Sequence, residues 1–152
     1  MGILLVRHAH AVPEQRGSDD AMRWLTVEGR AQARQVAQAV RDKGIAPVRF
    51  VASPRVRAVQ TAELFAQGLG FGGAVETLGS LSYTVPAERA ARELAAVEGE
   101  LAEGGIVAAF GHMPTIAEIA ATLTGGSYQG SLGLSEALWI DEGRVVWSLG
   151  PH

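Results

Sequence analysis

Ile3-Leu4-Leu5-Val6 is an unbroken aliphatic run with no polar residue to turn toward water, so it reads as a short strand buried on both faces. Such strands belong inside parallel sheets covered by helices. The run stops at Arg7-His8, two basic side chains that are costly to bury without partners. In open α/β sheets, ligands bind in the crevice beyond the carboxyl ends of the strands. The pair is therefore placed to meet an anion. Phosphate is the obvious one, with the arginine holding it and the imidazole attacking it.

The rest of the chain keeps to that architecture. Residues 9–25 are polar and irregular, a loop beside His8 that can form one wall of a site. Thr26 can N-cap a helix over 27–42, in which Ala33, Val36, Ala37 and Val40 make one apolar face and Gly44 supplies a stop. A second strand at 48–52 runs into Ser53-Pro54, with Pro54 suited to the first turn of a helix striped by Ala58, Ala62, Phe65 and Leu69. A weaker strand is expected at 75–78, and a helix at 86–103. Ile106–Phe110 is the second clear buried strand and ends in Gly111-His112, after which Pro114 starts a helix with Ile116, Ile119, Ala120 and Leu123 inside. Residues 125–134, rich in glycine and serine, read as a surface loop. Two final strands, 137–140 and 145–149, are joined by Asp141-Glu142-Gly143 as a three-residue hairpin turn. Strands alternating with helices predict a three-layer α/β/α fold with a mainly parallel sheet and an antiparallel edge hairpin, in one domain over 1–152.

Composition excludes several function classes. A net charge of −3 argues against nucleic acid or an anionic membrane as a bulk partner. The absence of cysteine removes disulfides, thiolate catalysis and Cys-type zinc sites. No apolar run approaches the ~20 residues of a membrane span. The N-terminal run lacks the basic region of a signal peptide, so a cytoplasmic location is expected.

Three segments should meet at one rim of the sheet: Arg7-His8, then Ser53-Pro54-Arg55-Val56-Arg57, then Gly111-His112. Arg57 falls in the first turn of its helix, where free N–H groups and the dipole already favour an anion. Two arginines and two histidines around one pocket would stabilise a phosphoryl group in transfer, and a neutral His8 can act as its nucleophile. Taken singly, Arg7-His8 and His112 could each be structural residues satisfied by carbonyls; four motifs in order weigh against that.

Those motifs resemble the histidine phosphatase superfamily, also called phosphoglycerate mutase-like. Leu5-Val6-Arg7-His8-Ala9 is similar to its Arg-His-Gly signature, and Ser53–Ala62 matches its Ser-Pro-x-x-Arg-Ala-x-Gln-Thr-Ala segment. Gly111-His112-Met113-Pro114 resembles its second-histidine motif, and Leu25-Thr26-Val27-Glu28-Gly29 its Leu-Thr-x-x-Gly helix start. The likeness spans residues 3–124, and the short length with Gly-His-x-Pro is most similar to SixA-type phosphohistidine phosphatases. It implies a phosphoglycerate mutase-like fold, His8 as nucleophile, Arg7, Arg57 and His112 as phosphate ligands, and no cofactor. The implied partner is a protein bearing phosphohistidine or a small phosphate ester, with a non-catalytic phosphate-binding module as the alternative from another class.

Two departures stand out. Ala9 replaces the commoner glycine, which asks only for a backbone angle alanine tolerates. Many members carry a proton-donating acid between the second arginine and the second histidine, yet Leu78–Tyr83 holds none, and Glu76 and Glu88 merely flank it. An alkoxide leaves badly without an acid, whereas a ring-protonated phosphohistidine expels neutral imidazole, so the gap favours a nitrogen–phosphorus substrate. With little chain beyond the basic fold, no cap domain is expected over the site. Other features read more plainly. Arg55 is expected at the rim, because i and i+2 point apart on a helix. Asp19-Asp20 is expected to be a solvated pair, with catalysis the lesser reading. His8-x-His10 could suit a metal, but Arg7 and Arg57 would repel a cation, so no metal is expected and His10 reads as a rim or substrate-touching residue. The Gly68–Gly73 run follows a helix and is a turn, and Trp139 and Trp147 are core or sheet-face residues.

Overall fold

A computed structural model describes residues 2–152. Six strands, β1 (Gly2–Arg7), β2 (Arg49–Ala52), β3 (Glu76–Thr77), β4 (Ile106–Gly111), β5 (Ala137–Asp141) and β6 (Arg144–Leu149), form one sheet in the order β3-β2-β4-β1-β5-β6. The first four in that order run parallel, and β5 and β6 are antiparallel. Helices α1 (Val27–Asp42) and α2 (Val56–Gly68) cover one face, α3 (Ala87–Gly99) and α4 (Thr115–Leu123) the other. This is the three-layer α/β/α architecture with a mainly parallel sheet and an antiparallel edge hairpin expected from the sequence.

The aliphatic composition of β1 follows from its place between β4 and β5. Its side chains alternate with period two. Leu4 and Val6 enter the core beneath α1 and α2 with Phe50, Phe65 and Phe110, while Ile3 and Leu5 enter the one beneath α3 and α4 with Leu94, Ile116 and Ile119. The two-sided burial leaves no position on β1 for a polar residue until the strand ends.

Several boundaries differ from expectation, each for a local reason. β3 is only two residues long and exposed, held at the sheet edge by Arg49, whose guanidinium donates to both Glu76 carboxylate oxygens at 2.7 and 3.1 Å. α3 stops at Gly99, a weak helix former, and Leu101 packs onto the core from the turn that follows. Ser53 and Pro54 precede α2, because Ser53 N–H still donates to the Phe110 carbonyl at 2.9 Å. The last hairpin turns on two residues. Asp141 and Arg144 pair, while Glu142 and Gly143 both take positive φ, 50° and 73°, the backbone whose twist matches the flanking strands.

Residues 9–25 are less irregular than their composition suggests. Ala11 bridges Leu25, Val12 N–H donates to the Trp24 carbonyl at 2.8 Å, and Leu25 N–H donates to Gln60 Oε1 on α2 at 2.8 Å. Thr26 caps α1 by accepting from Gly29 N–H at 3.0 Å, and its own N–H donates to the His10 carbonyl at 3.0 Å. A Cβ at Gly29 would stand 2.1 Å from that same carbonyl oxygen. Gly29→Ala must therefore push the His10 backbone away from α1. A stability loss of about 1–3 kcal/mol is expected in urea denaturation, together with reduced anion binding beside His8. Unchanged stability would contradict the close approach.

Candidate active site

The rim of the sheet is built by backbone register. Arg7 pairs with Gly111 across β1 and β4, and one step on His8 N–H donates to the Gly111 carbonyl at 3.0 Å. His8 and His112 therefore leave neighbouring strands side by side, with ring centroids 5.2 Å apart. α2 brings in Arg57, 4% exposed, from its first turn. The helix is tied to β1 through Thr61, whose hydroxyl donates to the Arg57 carbonyl at 2.7 Å and accepts from Ala9 N–H at 2.9 Å. Arg7, His8, Arg57 and His112 line a single cleft of about 320 Å³, so the four residues singled out in the sequence do converge. A second lobe of about 560 Å³ shares Arg7, His8 and Arg57 and adds His10 and Arg23.

The protonation state of His8 can be read from its partners. Nδ1 lies 2.8 Å from the Ala9 carbonyl oxygen, which can only accept, so Nδ1 carries the proton and Nε2 keeps its lone pair. Burial, reinforced by Arg57, Arg7 and Arg23 and opposed by the Ala9 bond, holds this imidazole down at about 4. Burial, then His8, Arg57 and Arg55, lowers His112 to about 3. Both rings are neutral near pH 7. His112 Nε2 meets Ser53 Oγ at 2.8 Å while its buried Nδ1 has no protein partner. With the Ser53 hydroxyl donating to Nε2, Nδ1–H is the group left to meet a ligand. Nε of Arg7 and of Arg57 likewise has no protein acceptor, whereas Arg7 Nη1 donates to the Leu132 carbonyl at 3.0 Å. Unmet donors around a neutral imidazole suit an oxyanion. Ala9 is not among the residues with positive φ, so the methyl in place of glycine carries no backbone strain.

Three expectations are corrected here, and an open choice of general acid is narrowed. Asp19 and Asp20 are not a solvated pair: Asp19 caps a short 3-10 turn by accepting from Ala21 N–H at 3.0 Å, which sends Asp20 into the cleft. Asp20 Oδ1 accepts from Arg23 Nη1 at 2.9 Å. Its Oδ2 accepts from Arg55 Nη1 at 3.1 Å, Arg57 Nη2 at 3.3 Å and the Tyr83 hydroxyl at 3.2 Å. The Arg23 hydrogen bond first, with Arg57 and Tyr83 adding to it, lowers the Asp20 carboxyl to about 2. Arg55 is no free rim residue, since it also lies 4.2 Å over the Tyr83 ring. Glu76 is removed as a candidate acid by its pairing with Arg49 at the sheet edge, and Glu88, exposed in the first turn of α3, does not line the cleft. The 125–134 loop is not wholly superficial, because Leu132 is buried and its carbonyl holds Arg7. Ser53, Arg23 and Tyr83 were not singled out by sequence reasoning. Only Ser53, which opens the Ser-Pro segment, carried a usable signal.

His10 lines the second lobe, with Nδ1 2.9 Å from Thr26 Oγ1. Among the described residues no three His, Cys, Asp or Glu side chains converge as metal ligands, and no helix is long and apolar enough to cross a membrane.

Comparison with known proteins gives the family and the fold. The profile of the histidine phosphatase superfamily, branch 1, matches residues 3–82. Among solved structures, the protein histidine phosphatase SixA complexed with tungstate superposes with a TM-score of 0.89 at 24% identity, covering 99% of this chain and 97% of that one. A SixA protein from Agrobacterium tumefaciens superposes with a TM-score of 0.80 at 22% identity, covering 99% and 98%. A mycobacterial glucosyl-3-phosphoglycerate phosphatase superposes at 0.69 with 16% identity, covering 91% and 88%. A search of curated proteins finds no match.

The two depressed imidazoles make stability depend on pH. In the unfolded chain histidines take up protons near 6.5, but the folded chain resists until about 4 at His8 and about 3 at His112. Protons thus favour the unfolded state as pH falls from 6.5 toward 4. On the order of 3 kcal/mol for each imidazole should be lost over that window. Thermal melts of wild type should fall more steeply between pH 7 and 4 than those of His8→Asn; parallel curves would contradict the assignment.

Proposed function

Because the chain belongs to the histidine phosphatase superfamily, branch 1, we propose that it removes the phosphoryl group from phosphohistidine on a signalling or phosphocarrier protein, by way of a covalent intermediate on His8. The chain is a phosphatase, and one observation carries the finer reading. The nucleophile is a neutral imidazole with a free Nε2 among Arg7, Arg57 and His112, while the carboxylate lining the cleft is held ionised.

In the first step the His8 Nε2 lone pair forms a bond to phosphorus and the substrate's P–N bond breaks, its electron pair returning to the leaving ring. A substrate ring protonated on its other nitrogen departs as neutral imidazole. Arg7, Arg57 and His112 Nδ1–H are the groups that would hold the phosphoryl oxygens as they pass. In the second step water attacks the phosphorus, the bond to His8 breaks, and His8 is regenerated neutral as dihydrogen phosphate leaves. Neither step needs an acid. An ester would need one, because its alkoxide is a poor leaving group near neutral pH. Asp20, with its carboxyl at about 2, cannot donate that proton.

The surroundings of the cleft also favour a protein-sized substrate. Met22 and Trp24 flank Arg23 on the loop that walls the second lobe, and they are 59% and 54% exposed. Tyr83, 43% exposed, stands at the mouth on the other side. Large apolar side chains left open beside a polar cleft are characteristic of a surface that meets another protein. The SixA neighbour bound to tungstate is a protein histidine phosphatase by name, which accords with this substrate class.

Rapid quench after brief exposure to a radiolabelled phosphohistidine protein tests the reading. Wild type should carry an acid-labile label and His8→Ala none. Arg57→Ala should lower kcat by about 10²–10³-fold. Turnover of phosphohistidine should exceed that of sugar phosphates in kcat/KM. Phosphate binding without label or turnover would point instead to a non-catalytic phosphate-binding module. A clear preference for sugar phosphates would make the chain a small-molecule phosphomonoesterase.

A further inference from the structure

We propose that Asp20 selects nitrogen–phosphorus substrates over phosphate esters by accepting a hydrogen bond from the protonated ring of the departing imidazole. The inference rests on the phosphohistidine reading above and narrows it to a leaving-group preference that one side chain sets.

The two oxygens of Asp20 are unequally used. Oδ2 takes donors from Arg55, Arg57 and Tyr83, whereas Oδ1 takes one, from Arg23. An ionised carboxylate oxygen accepts about two hydrogen bonds, so Oδ1 has room for another. The side chain is 24% exposed in the cleft it shares with His8 and His112. It is also anchored from behind, because the Asp20 carbonyl accepts from Arg57 Nη1 at 3.0 Å. The result is a rigid acceptor of negative charge, facing a site otherwise lined with donors and cations.

A phosphorylated imidazole fits that acceptor in a way an ester does not. Protonated on the nitrogen that does not carry phosphorus, its ring is cationic and offers one N–H. A carboxylate favours this form over the unprotonated ring. As the bond from His8 Nε2 to phosphorus forms and the P–N bond breaks, the electron pair passes to the ring, which leaves neutral and keeps its N–H. Without the carboxylate the bound ring gives up that proton more readily as pH rises, and its departure would then have to be as imidazolide. An ester offers neither positive charge nor N–H. Its bridging oxygen presents only lone pairs, which a carboxylate repels. The same group thus helps one leaving group and penalises the other.

The test compares kcat/KM for phosphoimidazole and for phenyl phosphate in wild type, Asp20→Asn and Asp20→Glu. In Asp20→Asn, which keeps the side-chain size and loses the charge, the ratio of the first to the second should fall at least about tenfold. Asp20→Glu should restore part of it. The alkaline limb of kcat should move to lower pH for phosphoimidazole alone. An unchanged ratio overturns the proposal: a common fall would make Asp20 only a positioning residue for the arginines, and a common rise an anion that the phosphoryl group displaces. A second measurement needs no turnover. Imidazole should bind the phosphate-saturated protein more weakly in Asp20→Asn than in wild type at about pH 6, where much of it is imidazolium. Equal affinities would also overturn the proposal. Weaker binding in the variant, with no turnover of either substrate by wild type, would uphold the contact and sink the phosphatase reading.

Discussion

Parallel pairing of β1 with β4 sets Val6 opposite Phe110 and Arg7 opposite Gly111, and this register brings His8 beside His112. The apolar faces of both strands enforce it. A slip of one residue would turn Leu4 and Val6 from the core beneath α1 and α2 to the one beneath α3 and α4, and would exchange Ile3 and Leu5 the other way. Leucine and phenylalanine packing thereby controls the placement of two polar rings several residues on. The Thr61 link between Ala9 and Arg57 extends the same control to α2, which packs on the same sheet. The accuracy of the site is thus inherited from a dry interior rather than from contacts among the reactive groups themselves.

Electrostatics then act in opposite directions on the two kinds of side chain. Arginines 7, 23, 55 and 57 stand close to two imidazoles that are themselves buried, and both influences keep the rings uncharged. A charged His8 would have no lone pair to attack with, so on the proposed mechanism the cationic field that would attract a phosphoryl group also keeps the imidazole competent as its nucleophile. Asp20 balances part of that field before any substrate arrives, joining Arg23, Arg55 and Arg57 through one carboxylate. Four arginines around a cleft with no anion would repel one another and hold their side chains less firmly. On a protein of net charge −3 the positive potential is local and does not extend to the surface at large.

The parts of the fold that were legible in the sequence are those where periodicity and burial act together. The runs Ile3–Val6 and Ile106–Phe110 and the stripe Ala33, Val36, Ala37 and Val40 announce their elements because each residue sits at the spacing its element requires. The four basic residues were legible for the same reason, since each closely follows an element whose end could be located. Asp20 lies in a short 3-10 turn, and Arg23 and Tyr83 lie in loop residues that follow such turns, where no period exists. Their positions depend on bonds between distant segments, such as Leu25 to Gln60 and Val12 to Trp24, and no local pattern encodes these. β3 is shorter than its composition suggests for a related reason, because a two-residue edge strand is defined by its neighbour more than by its own residues.

The same electrostatics leave the cleft without a carboxyl that could protonate an alkoxide. A proton donor for an alkoxide must hold its proton near neutral pH, which requires a carboxyl in apolar surroundings or beside another anion. This cleft offers the reverse, three guanidiniums and a tyrosine hydroxyl on the one carboxylate they surround. Supplying an acid there would mean removing guanidiniums from the carboxylate, among them Arg57, which on the proposed mechanism also holds the phosphoryl oxygens, so within this constellation the two requirements conflict. A leaving group that brings its own proton escapes the conflict. Phosphohistidine does so because the ring nitrogen remote from phosphorus is basic enough to be protonated near neutral pH while the other is being released.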